Sequence, residues 1–440
     1  MKEIGIGLLG LGNVGGGVVR ILDSHAAEIE ARLGARLRVR RVAVRDLDRR
    51  RDIPVDPALL TKDLDAVLGD PSIAVVVELI GGTTDARRAV LEAIERGKHV
   101  VTANKALLAE HGEEIFSRAR ARGVDVFYEG AVCGGLPILR TIREALAADR
   151  IDGLFGIVNG TTNYILTQMS EHGTDFATAL KGAQEKGYAE ADPTLDISGG
   201  DAAQKLCILA ALAFGARVHP ADVPTEGITE LETTDFAAAR EFGYVIKLLA
   251  IARRVGDGIE ARVHPTMIPA ASLLADVRGA FNAVLLQADA LGPAMFYGKG
   301  AGGMATGSAV VSDLIDLCRN LLAESPGRVP MPCEPWIKDA PRPSADELRC
   351  PYYLRFTVDD QPGVLARICG VLAERNISIG SVVQRERRGA DEAATVIIVT
   401  HEAREGDVRA ALNWIDGLGT TRARTRLIRI HAGAPLVGEL

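Results

Sequence analysis

Nowhere does this sequence approach the roughly 18 uninterrupted apolar residues that a membrane-spanning helix needs, so no membrane partner is expected. A leader-cleavage pattern is not read either, because Met1-Lys2-Glu3-Ile4 runs straight into a glycine-punctuated apolar segment, and a cytoplasmic protein is therefore expected. The six cysteines (Cys133, Cys207, Cys318, Cys333, Cys350 and Cys369) contain no C-x-x-C pair. That scatter argues against a zinc cluster or a disulfide framework, and for buried, reduced thiols. Charge of one sign is not in excess either. The 51 basic residues face 58 acidic ones, which gives no general pull towards nucleic acid or anionic lipid.

What is present suffices for several cores. A length of 440 residues implies roughly three domains at about 150 residues each. Residues 1–130 alternate short apolar runs with amphipathic helical patterns, the signature of an α/β, Rossmann-like doubly wound sheet. The runs Ile4–Leu9, Leu37–Val44, Ala74–Leu79, His99–Thr102 and Val124–Tyr128 read as strands, with helices at Thr84–Arg96 and Ala109–Arg122 between them. An α+β region follows over 131–304, with strand-like pieces at Leu154–Val158 and Ala261–Met267. A further helix, within about 305–324, is expected to return to the first domain. Pro326, Pro330, Pro332, Pro335, Pro341 and Pro343 make 325–350 an extended linker, at which a truncation is expected to spare the region before it. Residues 351–440 then read strand, helix, strand, strand, helix, strand, the ferredoxin-like order.

Gly10-Leu11-Gly12-Asn13-Val14-Gly15 follows the first strand and leads into a helix. In a dinucleotide-binding turn the first glycine permits the bend, the second lets a pyrophosphate approach the backbone, and the third lets helix pack on strand. An acid after the second strand would bond the 2′-hydroxyl of NAD, whereas arginine would accommodate the 2′-phosphate of NADP. The chain offers both in Val44-Arg45-Asp46, and because Arg45 comes first and Arg49, Arg50 and Arg51 follow, the reading leans to NADP. The alternative for those three arginines is a solvated charge run.

Lys105 lies just after the fourth strand of that domain, in Thr102-Ala103-Asn104-Lys105, and is therefore aimed at the crevice where ligands bind doubly wound sheets. A second lysine is more informative. Asp201 and Lys205, four apart, share one face of a helix that continues Leu206-Cys-Ile-Leu-Ala-Ala-Leu-Ala-Phe214, apolar on every side. A lysine on a buried helix needs a partner or a cleft, and desolvation is expected to lower its pKa towards that of a usable base.

The motifs G-L-G-N-V-G (10–15), T-A-N-K (102–105), E-G-A-V-C-G-G-L-P (129–137), N-G-T-T-N-Y-I-L (159–166), K-G-Y-A-E-A-D-P-T-L-D-I-S-G-G-D-A-A-Q-K (186–205) and G-K-G-A-G-G (298–303) together resemble the homoserine dehydrogenase family, in the family's order. The resemblance implies reversible, NAD(P)-dependent oxidation of L-homoserine to L-aspartate 4-semialdehyde. It also implies that Lys205 is the general acid/base, that Lys105 is its partner, that Glu190 holds the substrate ammonium, and that Asp196 and Asp201 orient the site. Thr83 and Gly303 are expected to complete the cofactor contacts. A monovalent cation, usually sodium, would fall on Glu129 and the backbone oxygens of Val132, Gly134 and Leu136. The chain departs from many members at Met304-Ala305, where they carry Leu-Pro, which bears on the local loop but on no proposed catalytic group.

Asp359-Asp360-Gln361-Pro362-Gly363-Val364-Leu365, followed by Asn376-Ile377-Ser378-Ile379, resembles the ACT family of amino-acid-binding regulatory modules. That resemblance implies an effector, L-threonine, near Gly363, and a homodimer or homotetramer in which such modules pair. The rivals are a dimerisation module without ligand, a nucleotide and amino-acid sensor without activity, and an aspartate-semialdehyde dehydrogenase. The last needs an activated cysteine, and Cys133 is its candidate.

Overall fold

The structure, a computed structural model, describes residues 2–333, 335–386 and 393–431, so the end of the 351–440 unit (432–440) lies outside the described residues. The chain opens with β1 (Lys2–Leu9), α1 (Asn13–Ser24), α2 (Ala26–Leu33), β2 (Ala35–Ala43), β3 (Leu60–Thr61), α3 (Leu64–Leu68), β4 (Val75–Glu78), α4 (Asp85–Glu95), β5 (His99–Thr102), α5 (Lys105–Arg122) and β6 (Val126–Phe127). The strands form one parallel sheet in the order β3-β2-β1-β4-β5-β6. Helices cover both faces, so β4 and β5 are buried throughout, which is why they read as unbroken apolar runs.

A second region contains α6 (Ile138–Arg140), β7 (Ile151–Ile157), α7 (Gly160–His172), α8 (Phe176–Glu185), α9 (Thr194–Ile197), α10 (Gly200–Phe214), α11 (Thr233–Glu241), β8 (Tyr244–Val255), β9 (Gly258–Pro269), β10 (Phe281–Ala288) and β11 (Gly292–Lys299). Its five strands pair antiparallel in the order β11-β10-β7-β8-β9. The return helix, α12 (Gly303–Leu322), starts before the expected span and crosses α1 at close range. A Cβ on Gly17 would sit 2.0 Å from the Gly303 carbonyl oxygen, and one on Gly307 2.9 Å from the Gly17 carbonyl carbon. Only hydrogen side chains permit that approach.

The proline-rich segment is extended but lies along the second region. Cys333 and Ile337 are buried, Lys338 N–H donates to Gly215 O, and Ile259 N–H donates to Pro341 O. Beyond it come β12 (Arg349–Cys350), β13 (Tyr352–Asp359), α13 (Val364–Glu374), β14 (Ile379–Glu386), β15 (Ala393–Thr400), β16 (Ala403–Arg404), α14 (Glu405–Asp416) and β17 (Thr421–Ile430). The order β17-β13-β15-β14 with two helices is ferredoxin-like, and among the described residues β12 pairs with β16 alone.

The C-terminal sheet is not separate. β17 pairs in parallel with β9, through Arg429–Thr266 and Ile430–Met267, so nine strands run as one sheet across both units. Ion pairs lock the junction. Arg429, itself paired with Glu405 of its own unit, reaches Glu226 across it, while Arg355 donates from Nε to the buried Asp235 at 2.7 Å. The boundary is thus no place for a clean cut, because a truncation there would leave the β9 edge unpaired and strip Glu226 and Asp235 of their cations. Among the described residues no helix is long and apolar enough to cross a membrane.

Candidate active site

The turn after β1 has the shape a pyrophosphate needs. Gly10 has φ +102°, and its N–H donates to Ala43 O at 2.9 Å, tying the turn to β2. A Cβ on Gly15 would lie 2.4 Å from Gly10 O, so the third glycine is required for helix α1 to pack on the turn. A Cβ on Gly12 would meet nothing within 4 Å, so the second glycine faces open space at the N-terminus of α1. Leu11, Asn13 and Val14 complete the turn, and Gly303 packs onto it, a Cβ there falling 2.6 Å from Asn13 O. Arg45 stands exposed just past the end of β2, and among the described residues it makes no hydrogen bond or ion pair. Arg51 is otherwise engaged, donating to Arg49 O at 2.9 Å and to Asp46 O. Thr83 sits half-buried in the turn after β4.

Lys105 is the first residue of α5, whose N-cap Asn104 accepts from Leu107 N–H and donates to Gly82 O at 2.7 Å. A cation at a helix N-terminus opposes the helix dipole, so its presence calls for a partner. Asp201 supplies one, at 2.9 Å from Lys105 Nζ. The other carboxylate oxygen of Asp201 takes Lys205 Nζ at 2.7 Å, and that ammonium also donates to Val158 O at 2.7 Å. One buried carboxylate therefore bridges two lysines, one from the nucleotide domain and one from α10.

Burial alone would lower the Lys205 pKa, but the Asp201 carboxylate outweighs it, so the ammonium is held above its ordinary value. This corrects the expectation of a lowered pKa: a buried lysine with a carboxylate in contact keeps its proton. Burial likewise works against ionising Asp201, yet Lys205 and Lys105 carry its carboxyl well below the usual range. Asp196 behaves differently. Burial pushes it up, and the Asn159 amide only partly offsets this.

Asn159 was not singled out by the sequence reading. It lies two residues past the end of β7 as the N-cap of α7, and its amide joins Asp196 to Asp201. It opens the motif N-G-T-T-N-Y-I-L (159–166), but nothing in that motif gave it a role, and its local signal was Asn-Gly ahead of a helical run. Glu190, by contrast, stands exposed on the loop after α8, and among the described residues its carboxylate makes no hydrogen bond or ion pair. The loop is held towards α7 by Thr161, whose hydroxyl donates to Tyr188 O at 2.6 Å.

Cys133 is buried with φ +48°, and Asn282 Nδ2 lies 3.4 Å from its sulfur. Burial pushes the thiol up, the opposite of what a nucleophilic cysteine needs. The Glu129 carboxylate caps α6 by accepting from Leu139 N–H at 2.9 Å and Arg140 N–H at 2.7 Å. In the same loop the Leu136 oxygen accepts from Ile138 N–H, whereas no N–H of the described residues reaches the Val132 or Gly134 oxygens. Gly363 has φ +91° ahead of α13, and a Cβ there would meet nothing within 4 Å.

Three family models match the chain. "Homoserine dehydrogenase, NAD binding domain" covers residues 10–129, "Homoserine dehydrogenase" covers 137–315, and "ACT domain" covers 352–413. The chain is 45% identical to a homoserine dehydrogenase of Pseudomonas aeruginosa over 98% of its own length and 100% of the relative's. It is 40% identical to one of Bacillus subtilis, over 95% and 96% of the two chains. The crystal structure of a homoserine dehydrogenase from Thiobacillus denitrificans superimposes with a TM-score of 0.91 at 48% identity, covering 98% of this chain and 99% of that one.

Proposed function

The chain belongs to the homoserine dehydrogenase family, oxidoreductases of amino-acid biosynthesis, and carries an ACT module; on that premise we propose that it oxidises L-homoserine to L-aspartate 4-semialdehyde, reversibly, with NADP preferred over NAD. The observation that carries this reading is the Lys105–Asp201–Lys205 bridge, built from two domains and closed by contacts of 2.9 and 2.7 Å.

When bound, the nicotinamide supplies the hydride acceptor. In the oxidative direction the substrate hydroxyl proton passes to Lys205 Nζ, which must first be neutral. Because Asp201 holds that ammonium protonated, oxidation gains from alkaline pH, while the reverse reaction finds its proton donor ready. Lys105 shares the carboxylate and steadies negative charge on the substrate oxygen. Glu190, exposed and unpaired among the described residues, and Asp196 offer carboxylates to the substrate ammonium.

The exposed Arg45 beyond β2 supports the 2′-phosphate preference. The Val132 and Gly134 oxygens, with Leu136 and Glu129 beside them, suit a hard monovalent cation such as sodium. The open Gly363 turn supports L-threonine as effector, in a homodimer or homotetramer paired through such modules. The proposed setting is the cytoplasm.

The purified protein, assayed with L-homoserine and each cofactor with and without L-threonine, is expected to reduce NADP faster than NAD and to be inhibited by threonine. Lys205→Ala is expected to lose on the order of 100- to 10,000-fold in kcat with NADP affinity unchanged. A protein that binds dinucleotide but forms no NADPH from homoserine would return the chain to the sensor reading.

A further inference from the structure

We infer that Asn159 is a positioning residue for this reaction, a single amide that sets the relative placement of Asp196 and Asp201 and, through Asp201, of both lysines. The inference rests on the homoserine-oxidising reading of the site.

The orientation of the amide is fixed from one side. Asn159 Oδ1 accepts from Thr162 N–H at 2.8 Å, the cap of α7, and lies 3.0 Å from the Thr162 hydroxyl. A helix N–H cannot accept, so the oxygen must face the helix and the NH2 group must face away from it. Both of its hydrogens are used. Nδ2 lies 2.7 Å from Asp196 Oδ1 and 2.8 Å from Asp201 Oδ2. The side chain is buried, so neither bond is readily replaced by water.

The backbone on either side is equally committed. Val158 O receives the Lys205 ammonium, and Gly160 packs so tightly that a Cβ would fall 2.8 Å from Ala280 O. The strand-to-helix turn is therefore a fixed platform from which one amide and one carbonyl reach into the charged cluster. The groups facing Asp201 are Lys105 from α5, Lys205 from its own helix, Asp196 at the end of α9, and the Cys133 thiol from the 131–137 loop. Asp196 and Asp201 repel each other, and the Asn159 amide is the neutral donor they share. Without it, Asp196 is driven to take up a proton or to turn away, and Asp201 loses one of the three donors that fix its plane between the lysines.

The test separates cap from bridge. Serine and aspartate cap helices about as well as asparagine, so Asn159→Ser and Asn159→Asp retain the α7 cap while losing the two-armed donor. Both are expected to fold and to bind NADPH within about twofold of wild type. Their kcat/KM for L-homoserine is expected to fall on the order of 10- to 100-fold, with the acid limb of the pH profile displaced upwards. Wild-type kcat/KM with an unmoved pH profile in either folded variant would overturn the inference. So would failure of both variants to fold, which would assign the residue to the fold alone. An inactive wild-type protein would instead remove the homoserine reading itself.

Discussion

Replacing Asp201 by Asn removes the one charge that both lysines share while keeping the side chain's size. Asp201 is 4% exposed and Lys205 11%, so their 2.7 Å contact is a buried ion pair. Deleting one member of such a pair costs about 3–5 kcal/mol, because the remaining charge stays buried without compensation. Lys105 is 34% exposed, and its share, screened by solvent, adds about 1 kcal/mol or less. The sign of the pH dependence follows from both partners. Asp201, depressed below its ordinary value of 3.8, contributes stability that is present above that value and lost as pH falls through its folded pKa. Lys205, raised above 10.5, contributes stability that is present below that value and lost as pH rises through its folded pKa. In the variant, only Asp196 and the Cys133 thiol still oppose the effect of burial on Lys205, so its pKa falls from the wild-type position. The stability gap between wild type and Asp201→Asn should therefore be widest near neutral pH and close at both extremes. Urea unfolding of both proteins at a series of pH values reads the gap directly. A difference below about 1 kcal/mol at pH 7.5, or one that does not shrink at strongly alkaline pH, would refute the account of the bridge.

Three further outcomes are expected. Arg45→Ala should lower NADP affinity while leaving NAD affinity nearly unchanged, read by fluorescence titration with both reduced cofactors; equal losses for the two would remove Arg45 from the 2′-phosphate. Gly17→Ala places a methyl 2.0 Å from Gly303 O and should cost about 1–3 kcal/mol of stability while weakening dinucleotide binding; an unchanged melting curve would contradict the helix crossing. Arg429→Met leaves Glu226 and the buried Glu405 with Arg409 as their one remaining cation and should cost about 3 kcal/mol or less, seen as an earlier urea transition; the same midpoint as wild type would show that the junction does not depend on Arg429.

The nucleotide domain was legible because strands buried on both faces between helices leave uninterrupted apolar runs with glycine punctuation. His99–Thr102 was read to the residue. Helix α5 begins four residues before the expected Ala109, at Lys105, because a charged first residue masks a start that the Asn104 cap in fact defines. Strands β8, β10 and β11 went unread. Residues 246–252 of β8 are buried without a break, so the alternation that marks a half-exposed strand is lost. The pairing of β17 with β9 joins segments far apart in sequence, and no local pattern encodes it. In the site, Asp201 and Lys205 were visible as a pair at helical spacing, and the direction of the lysine's pKa was not. Sequence shows that a lysine is buried, but the balance between desolvation and its carboxylate depends on a 2.7 Å contact that only folding creates. Asn159 escaped for the same reason, since its carboxylate partners lie on later helices.

The crossing of α1 by α12 has a consequence for how this enzyme is made. The helix that braces the dinucleotide turn is supplied by Gly303–Leu322, after the entire catalytic region has been synthesised. A nascent chain emerging from the ribosome thus carries the complete glycine motif long before it owns the brace, and its first unit waits half-finished while the second assembles. Cofactor capture during translation should accordingly begin only once the return helix has cleared the exit tunnel, so that a loaded turn certifies a braced first domain.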